Sequence, residues 1–148
     1  MPANRKMTIE VSRVARCDPA AVMELVRDPR SWPRWQSEIL STEGPDRLEE
    51  GDDVYGHAEM LGFRVEGHSK SVAVTADAYE EDVVVGVRMR ILYEVARDGG
   101  GNTVVTRRLS ALLPAGFAGR ILAFFLKRRL TRMQTGVVEE LVRQAERR

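Results

Sequence analysis

From Phe117 to Arg148 the chain reads FAGRILAFFLKRRLTRMQTGVVEELVRQAERR. Leu122, Leu126, Leu130, Met133, Val137 and Leu141 recur three and four positions apart, which is one stripe of an α-helix. Ile121, Phe125, Val138 and Val142 widen the stripe, and Arg120, Arg128, Arg132, Glu139, Glu140 and Arg143 fill the remaining faces. At 1.5 Å per residue such a helix is about 45 Å long. A stripe of that length needs an equally long cover. The residues that precede it read mostly as strands and are the available cover.

Chain length and charge narrow the possibilities further. The 148 residues fit one domain spanning 1–148, enough for a real core. A net charge of +1 gives no general attraction to nucleic acid, so no nucleic-acid partner is expected. Cys17 is the single cysteine, which excludes an intrachain disulfide and fits a reducing compartment. The first residues, MPANRKMTIEV, hold no apolar run of signal-peptide length, and ILAFFL is far too short to span a membrane. The expectation is a soluble cytoplasmic protein. Arginine far outnumbers lysine, the bias of a GC-rich bacterial genome.

In chain order, Met7, Ile9 and Val11 alternate with Thr8, Glu10 and Ser12 in a first strand with one buried face. Asp18-Pro19 then supplies an N-cap residue and a proline at the first helical position, and AAVMELVRD follows as a short helix. DPRSWPRWQSEI, with two prolines and two tryptophans, predicts a second short helical turn. A second strand is expected over about Glu38 to Glu43.

DVYGHAEM and FRVEGHSKSVAV are separated by Leu61-Gly62, which predicts a tight hairpin. One face then pairs Glu59 with Arg64, His57 with Glu66, Tyr55 with His68 and Asp53 with Lys70. Most of these pairs are complementary in charge, as neighbours on a wet face should be. The other face pairs Met60 with Phe63, Ala58 with Val65, Gly56 with Gly67 and Val54 with Ser69, apolar and small in the middle. Strands EDVVVGVR and RILYEVA follow, and RDGGGN leads to TVVTRRLSALL. Pairing across that loop sets Ile91 opposite Leu109, Tyr93 opposite Arg107 and Val95 opposite Val105. The class is α+β: seven antiparallel strands curved around one long C-terminal helix, with two short helices after strand 1.

This order resembles the START-like, or SRPBCC, superfamily with its helix-grip fold. Within it the chain is similar to the polyketide cyclase/dehydrase and lipid-transport family. The residues that carry the resemblance are the first strand followed by CDPAAVMELVRDPRSWPRW, then Gly51, and the run from Gly101-Asn102-Thr103 to the Glu139/Leu141 pattern. The resemblance implies an apolar cavity between the sheet and the long helix, with its mouth near the loops over the helix's first half. It also implies arginine, tyrosine and tryptophan in the pocket if the chain is an aromatase/cyclase. Trp32 matches the tryptophan. Ile39 stands at the tyrosine position, and Lys70, the nearest match to the arginine, turns outward in the hairpin.

The expected cavity wall takes Trp32 and Trp35 as large apolar surfaces, with closing of the core as the plainer alternative. Val54, Gly56, Ala58 and Val65 come from the hairpin's small inner face, where the glycines either leave space or admit a close backbone approach. Leu122, Leu126 and Met133 come from the helix stripe. Tyr93 and Arg107 are the candidate polar groups and the weak catalytic candidates, able to orient a carboxylate, enol or ketone. The plainer alternative puts Arg107 at the sheet rim or against a helix glutamate. His57 and His68 fall on the charge-paired outer face, and no Cys/His spacing suits a metal, so neither metal nor cofactor is expected. Phe124 and Phe125 beside Lys127, Arg128 and Arg129 fit weak contact with an anionic membrane, or simply a solvated helix face.

Two functions fit these residues. One is binding, transport or sensing of a hydrophobic small molecule such as a lipid, polyketide or isoprenoid. The other is a polyketide aromatase/cyclase or dehydratase.

Overall fold

The computed structural model describes the backbone of residues 5–60, 62–113 and 117–148, and the side chains of 6–60, 62–112 and 124–148. Strand β1 (Arg5–Ala15) leads to α1 (Pro19–Val26), a 3-10 turn (Pro29–Ser31) and α2 (Trp32–Trp35). Then come β2 (Ile39–Glu43), β3 (Asp53–Met60), β4 (Phe63–Val74), β5 (Ala78–Val85), β6 (Val87–Arg97) and β7 (Thr103–Leu113). The chain closes with α3 (Phe117–Glu146).

All seven strands form one antiparallel sheet in the order β1-β7-β6-β5-β4-β3-β2. Alternation decides which face is buried. Met7, Ile9 and Val11 of β1, Met89, Ile91, Tyr93 and Val95 of β6, and Val105, Leu109 and Ala111 of β7 all point inward. Against them α3 sets Leu126, Leu130, Val137, Val138, Leu141 and Ala145, but Phe125, expected to widen the stripe, is exposed, because one position before Leu126 is turned about 100° away from the buried line. Each of these larger apolar side chains contributes about 1.5–3 kcal/mol when fully removed from water.

Both expected registers are observed. In β3–β4, Asp53 pairs with Lys70, Tyr55 with His68 and Ala58 with Val65; in β6–β7, Tyr93 pairs with Arg107. Gly62 takes φ +84°, the left-handed conformation that closes the hairpin.

Two local expectations are corrected. EDVVVGVR is not one strand: Gly86 takes φ +76° and turns the chain, so β5 ends at Val85 and β6 begins at Val87. Asp18 occupies the N-cap of α1 without a side-chain cap bond, because its carboxylate is held by Arg97 at 2.8 Å.

Candidate ligand cavity

Between the inner face of the sheet, α2 and α3 lies a cavity that opens to solvent. Of the residues expected in its wall, Trp32, Val54, Gly56, Ala58, Arg107 and Met133 line it. Trp35, Val65, Tyr93 and Leu126 are not among its lining residues, and the Leu122 side chain lies outside the described residues. Trp32 is held by its indole N–H donating to the Val26 carbonyl at 2.9 Å. Trp35 is core: it donates to Ser31 Oγ at 2.9 Å and meets the Tyr93 ring edge-on at 6.0 Å.

Arg107 is neither at the rim nor beside a helix glutamate. Val105 and Leu109 flank it at inward positions, so strand parity carries the guanidinium inside, where it is 2% exposed. Its Nε donates to Tyr93 Oη at 2.9 Å, and its Nη2 donates to Gln36 Oε1 at 3.3 Å. Its Nη1 has no hydrogen-bond partner among the described residues. The other buried side-chain atoms without partners, among the described residues, are Glu38 Oε2 and Gln134 Oε1, and both residues also line this cavity.

Glu81 is a second buried ionisable group in the wall, unforeseen from the sequence. Its Oε2 accepts the Ser69 hydroxyl at 2.9 Å. Burial pushes its carboxyl above the ordinary range, while the Ser69 bond and the charge of Arg107 pull the other way. The Tyr79 and Tyr93 hydroxyls are also pushed up, mainly by burial, and stay protonated. The cavity is therefore apolar over most of its wall, and its lining also includes a guanidinium donor, amide and carboxyl oxygens and a carboxyl whose neutral form burial favours. Such groups can hydrogen-bond a carbonyl, enol, hydroxyl or carboxylate.

Gly56 is spoken for by backbone. A Cβ there would sit 2.1 Å from the Ser41 carbonyl oxygen, because β2 shifts register between Ile39 and Ser41 and folds over β3. At Gly67 a Cβ has ordinary contacts as its nearest neighbours: Val85 at 3.6 Å and 3.8 Å and the Val84 carbonyl oxygen at 3.9 Å. His57 and His68, expected on the outer face, also border the cavity, as does Tyr55; His68 stacks on Tyr55 with ring centres 4.7 Å apart and bonds Asp53 at 2.8 Å.

Parity could have found Glu81. Tyr79, Val83 and Val85 make β5 an inward-facing series, and Glu81 has their parity. Gln36, Glu38 and Gln134 carried no such signal, since their placement depends on how α2, β2 and α3 meet.

The model of the family described as polyketide cyclase / dehydrase and lipid transport matches residues 6–146. No curated protein matches the chain. Among solved structures, the Zhui aromatase/cyclase from Streptomyces sp. R1128 superposes with a TM-score of 0.81 at 13% identity, over 97% of this chain and 96% of that one. TTHA0849 from Thermus thermophilus gives 0.75 at 15%, over 94% and 97%. Ara h 8.0201 gives 0.69 at 11%, over 97% and 100%. At these identities the likeness is one of fold, and the fold is helix-grip.

Proposed function

The chain belongs to the polyketide cyclase/dehydrase and lipid transport family, and on that premise we propose that it binds a hydrophobic small molecule bearing an oxygen-rich polar end. The molecule lies in the cavity under α3, as cargo or as a sensed signal. The observation that carries this reading is the coincidence of three unpartnered buried atoms, Glu38 Oε2, Arg107 Nη1 and Gln134 Oε1, with residues of one cavity. An unmet buried polar atom costs about 1–3 kcal/mol. A guest with an acceptor for Arg107 and a hydroxyl for Gln134 or Glu38 removes that cost. The apolar remainder of the guest is covered by Trp32, Val54, Ala58, Leu130 and Met133.

Native mass spectrometry of protein purified from its host tests this directly. The expected result is a bound species that, once extracted, proves to be an apolar skeleton carrying carbonyl, enol or carboxyl oxygen. A purely hydrocarbon guest, or a protein that takes up no such compound from a panel, would count against it.

A second reading has its own support. Arg107 and Glu81 share the cavity, so a ketone polarised by the guanidinium lies within the same wall as a carboxyl able to exchange a proton with its enol. Under this reading the chain is an aromatase/cyclase or dehydratase. A changed mass or absorbance of a bound poly-β-keto compound on incubation would favour it over plain binding.

A further inference from the structure

The first part of α3 carries a second pattern, directed outward. From Phe117 to Val138 the sequence has no acidic residue, yet it includes Arg120, Lys127, Arg128, Arg129 and Arg132. Phe124, Arg128 and Arg132 follow each other at spacings of four, and Phe125 lies seven before Arg132. They form one stripe on the side opposite Leu126, Leu130 and Val137, which face the core. Phe124 and Phe125 are 62% and 64% exposed, with their rings edge to face at 5.6 Å. Lys127, Arg128, Arg129 and Arg132 are exposed and make no ion pair among the described residues.

The end of the same helix is built differently. Glu139 pairs with Arg13, Arg143 with Glu140, and Arg148 with Glu24. Arg128 and Arg132, four apart, repel one another with no acid between them to compensate. The fold gains nothing from two bare phenylalanines and four cations that pair with no acid among the described residues.

Their position relative to the cavity follows from the strand registers. The β3–β4 turn, the β5–β6 turn at Gly86 and the end of β7 share one end of the sheet. α3 starts four positions after β7 ends, at that same end. Phe63, 72% exposed, sits there at the β4 start. Met60, Val85 and Met89, which line the cavity, also lie within three residues of these turns.

We propose that this end of the domain docks on an anionic lipid bilayer. Phe124 and Phe125 enter the headgroup region, and Lys127, Arg128, Arg129 and Arg132 meet the lipid phosphates. A bilayer suits this surface because it presents phosphate in excess and needs no shaped pocket for the two rings. Docking there brings the turns beside the cavity to the membrane, so an apolar guest has a short route between the two.

The test uses the full chain and sedimentation with vesicles of phosphatidylcholine alone or mixed with phosphatidylglycerol. The chain is expected to pellet with the mixed vesicles at low salt and to be released as salt rises. Lys127→Gln/Arg128→Gln/Arg129→Gln should weaken binding about a hundredfold, and Phe124→Ser/Phe125→Ser at least about tenfold. Arg147→Gln, at the other end of α3, should leave it unchanged. Circular dichroism and uptake of anilinonaphthalene sulfonate, an apolar fluorophore with an anionic group, should be retained in every variant. That separates failure of docking from failure of the cavity. Absence of binding to the mixed vesicles at low salt overturns the proposal, as does binding that neither variant weakens. So does self-association abolished by the phenylalanine changes without any vesicle binding, which would make a second copy the occupant.

Discussion

The Arg107 guanidinium donates from Nε to the Tyr93 hydroxyl at 2.9 Å, and its carbon stands 5.2 Å from the centre of the same ring. The two residues are direct cross-strand partners on β6 and β7. Tyr93 thus holds one guanidinium nitrogen, Gln36 a second, and the third has no partner among the described residues. Arg107→Met removes the donor proposed to meet the ligand and strands Tyr93 Oη and Gln36 Oε1. Affinity for anilinonaphthalene sulfonate, measured by fluorescence titration, should fall about ten- to a hundredfold, the worth of a hydrogen bond to a charged group. Arg107→Lys should not restore it, since an ammonium cannot hold two protein partners and a ligand in one plane. Full affinity in a folded Arg107→Met protein would remove Arg107 from the site.

The paired glycines Gly56 and Gly67 predict opposite outcomes for the same kind of change. Gly67→Val places its Cβ at ordinary contact from Val85 and adds two methyls at a residue that lines the cavity. The protein should stay folded, with midpoint stability within about 1 kcal/mol, and lose most of its uptake of the fluorophore. Gly56→Ala drives a Cβ against the Ser41 carbonyl, which is backbone and cannot swing away. It should cost about 1–3 kcal/mol by urea unfolding by forcing β2 off β3. If Gly56→Ala is harmless while Gly67→Val unfolds the protein, the assignment of the two glycines is inverted.

How much of this was legible depends on whether a property is local. The β3–β4 register was, because a two-residue turn and a row of complementary charges both fix it. The side of Arg107 was legible only in part: Val105 and Leu109 share its parity, but parity does not tell an interior position from one at the sheet rim. What failed was anything set by a boundary or a bulge. Starting β5 at Glu81 rather than at Ala78 hid the series Tyr79, Glu81, Val83, Val85, and with it the second buried ionisable group. The irregularity at Leu40 brings the Ser41 carbonyl over Gly56, and no residue pattern announces it. Trp35 and Tyr93 read as wall and proved to be buried outside its lining, because a sequence shows which face a side chain is on but not how many layers lie in front of it.

Glu81 predicts a pH dependence of defined sign. Ser69, Tyr79 and the more distant Arg107 and Tyr93 surround it, and burial is the dominant influence, raising its carboxyl above the unfolded value near 4.3. The neutral acid is the form the fold prefers. Its contribution to stability is therefore fully present below the unfolded pKa and is lost as pH rises through the folded one. Glu81→Gln keeps the acceptor for Ser69 and does not titrate. Urea midpoints of variant and parent, compared from acid to neutral pH, should diverge in favour of the variant as pH rises. Parallel profiles would mean that Glu81 ionises in the fold as readily as in the open chain.

Ser31 predicts a loss of stability without a comparable loss of binding. It is fully buried, its hydroxyl donates toward the Leu25 carbonyl at 2.7 Å, and it accepts the Trp35 indole N–H at 2.9 Å. One hydroxyl thereby ties the end of α1 to α2. Ser31→Ala leaves the Trp35 N–H unmet inside the core, a cost of about 1–3 kcal/mol. Trp35 meets Tyr93 edge-on, and Tyr93 holds Arg107, so the disturbance reaches the cavity only through two intervening rings. Uptake of anilinonaphthalene sulfonate should change by no more than about threefold, a coupling below about 1 kcal/mol, while the urea midpoint drops clearly. The reverse pattern, with stability kept and uptake lost, would place Ser31 and Trp35 in the binding surface itself and redraw the cavity wall to include them.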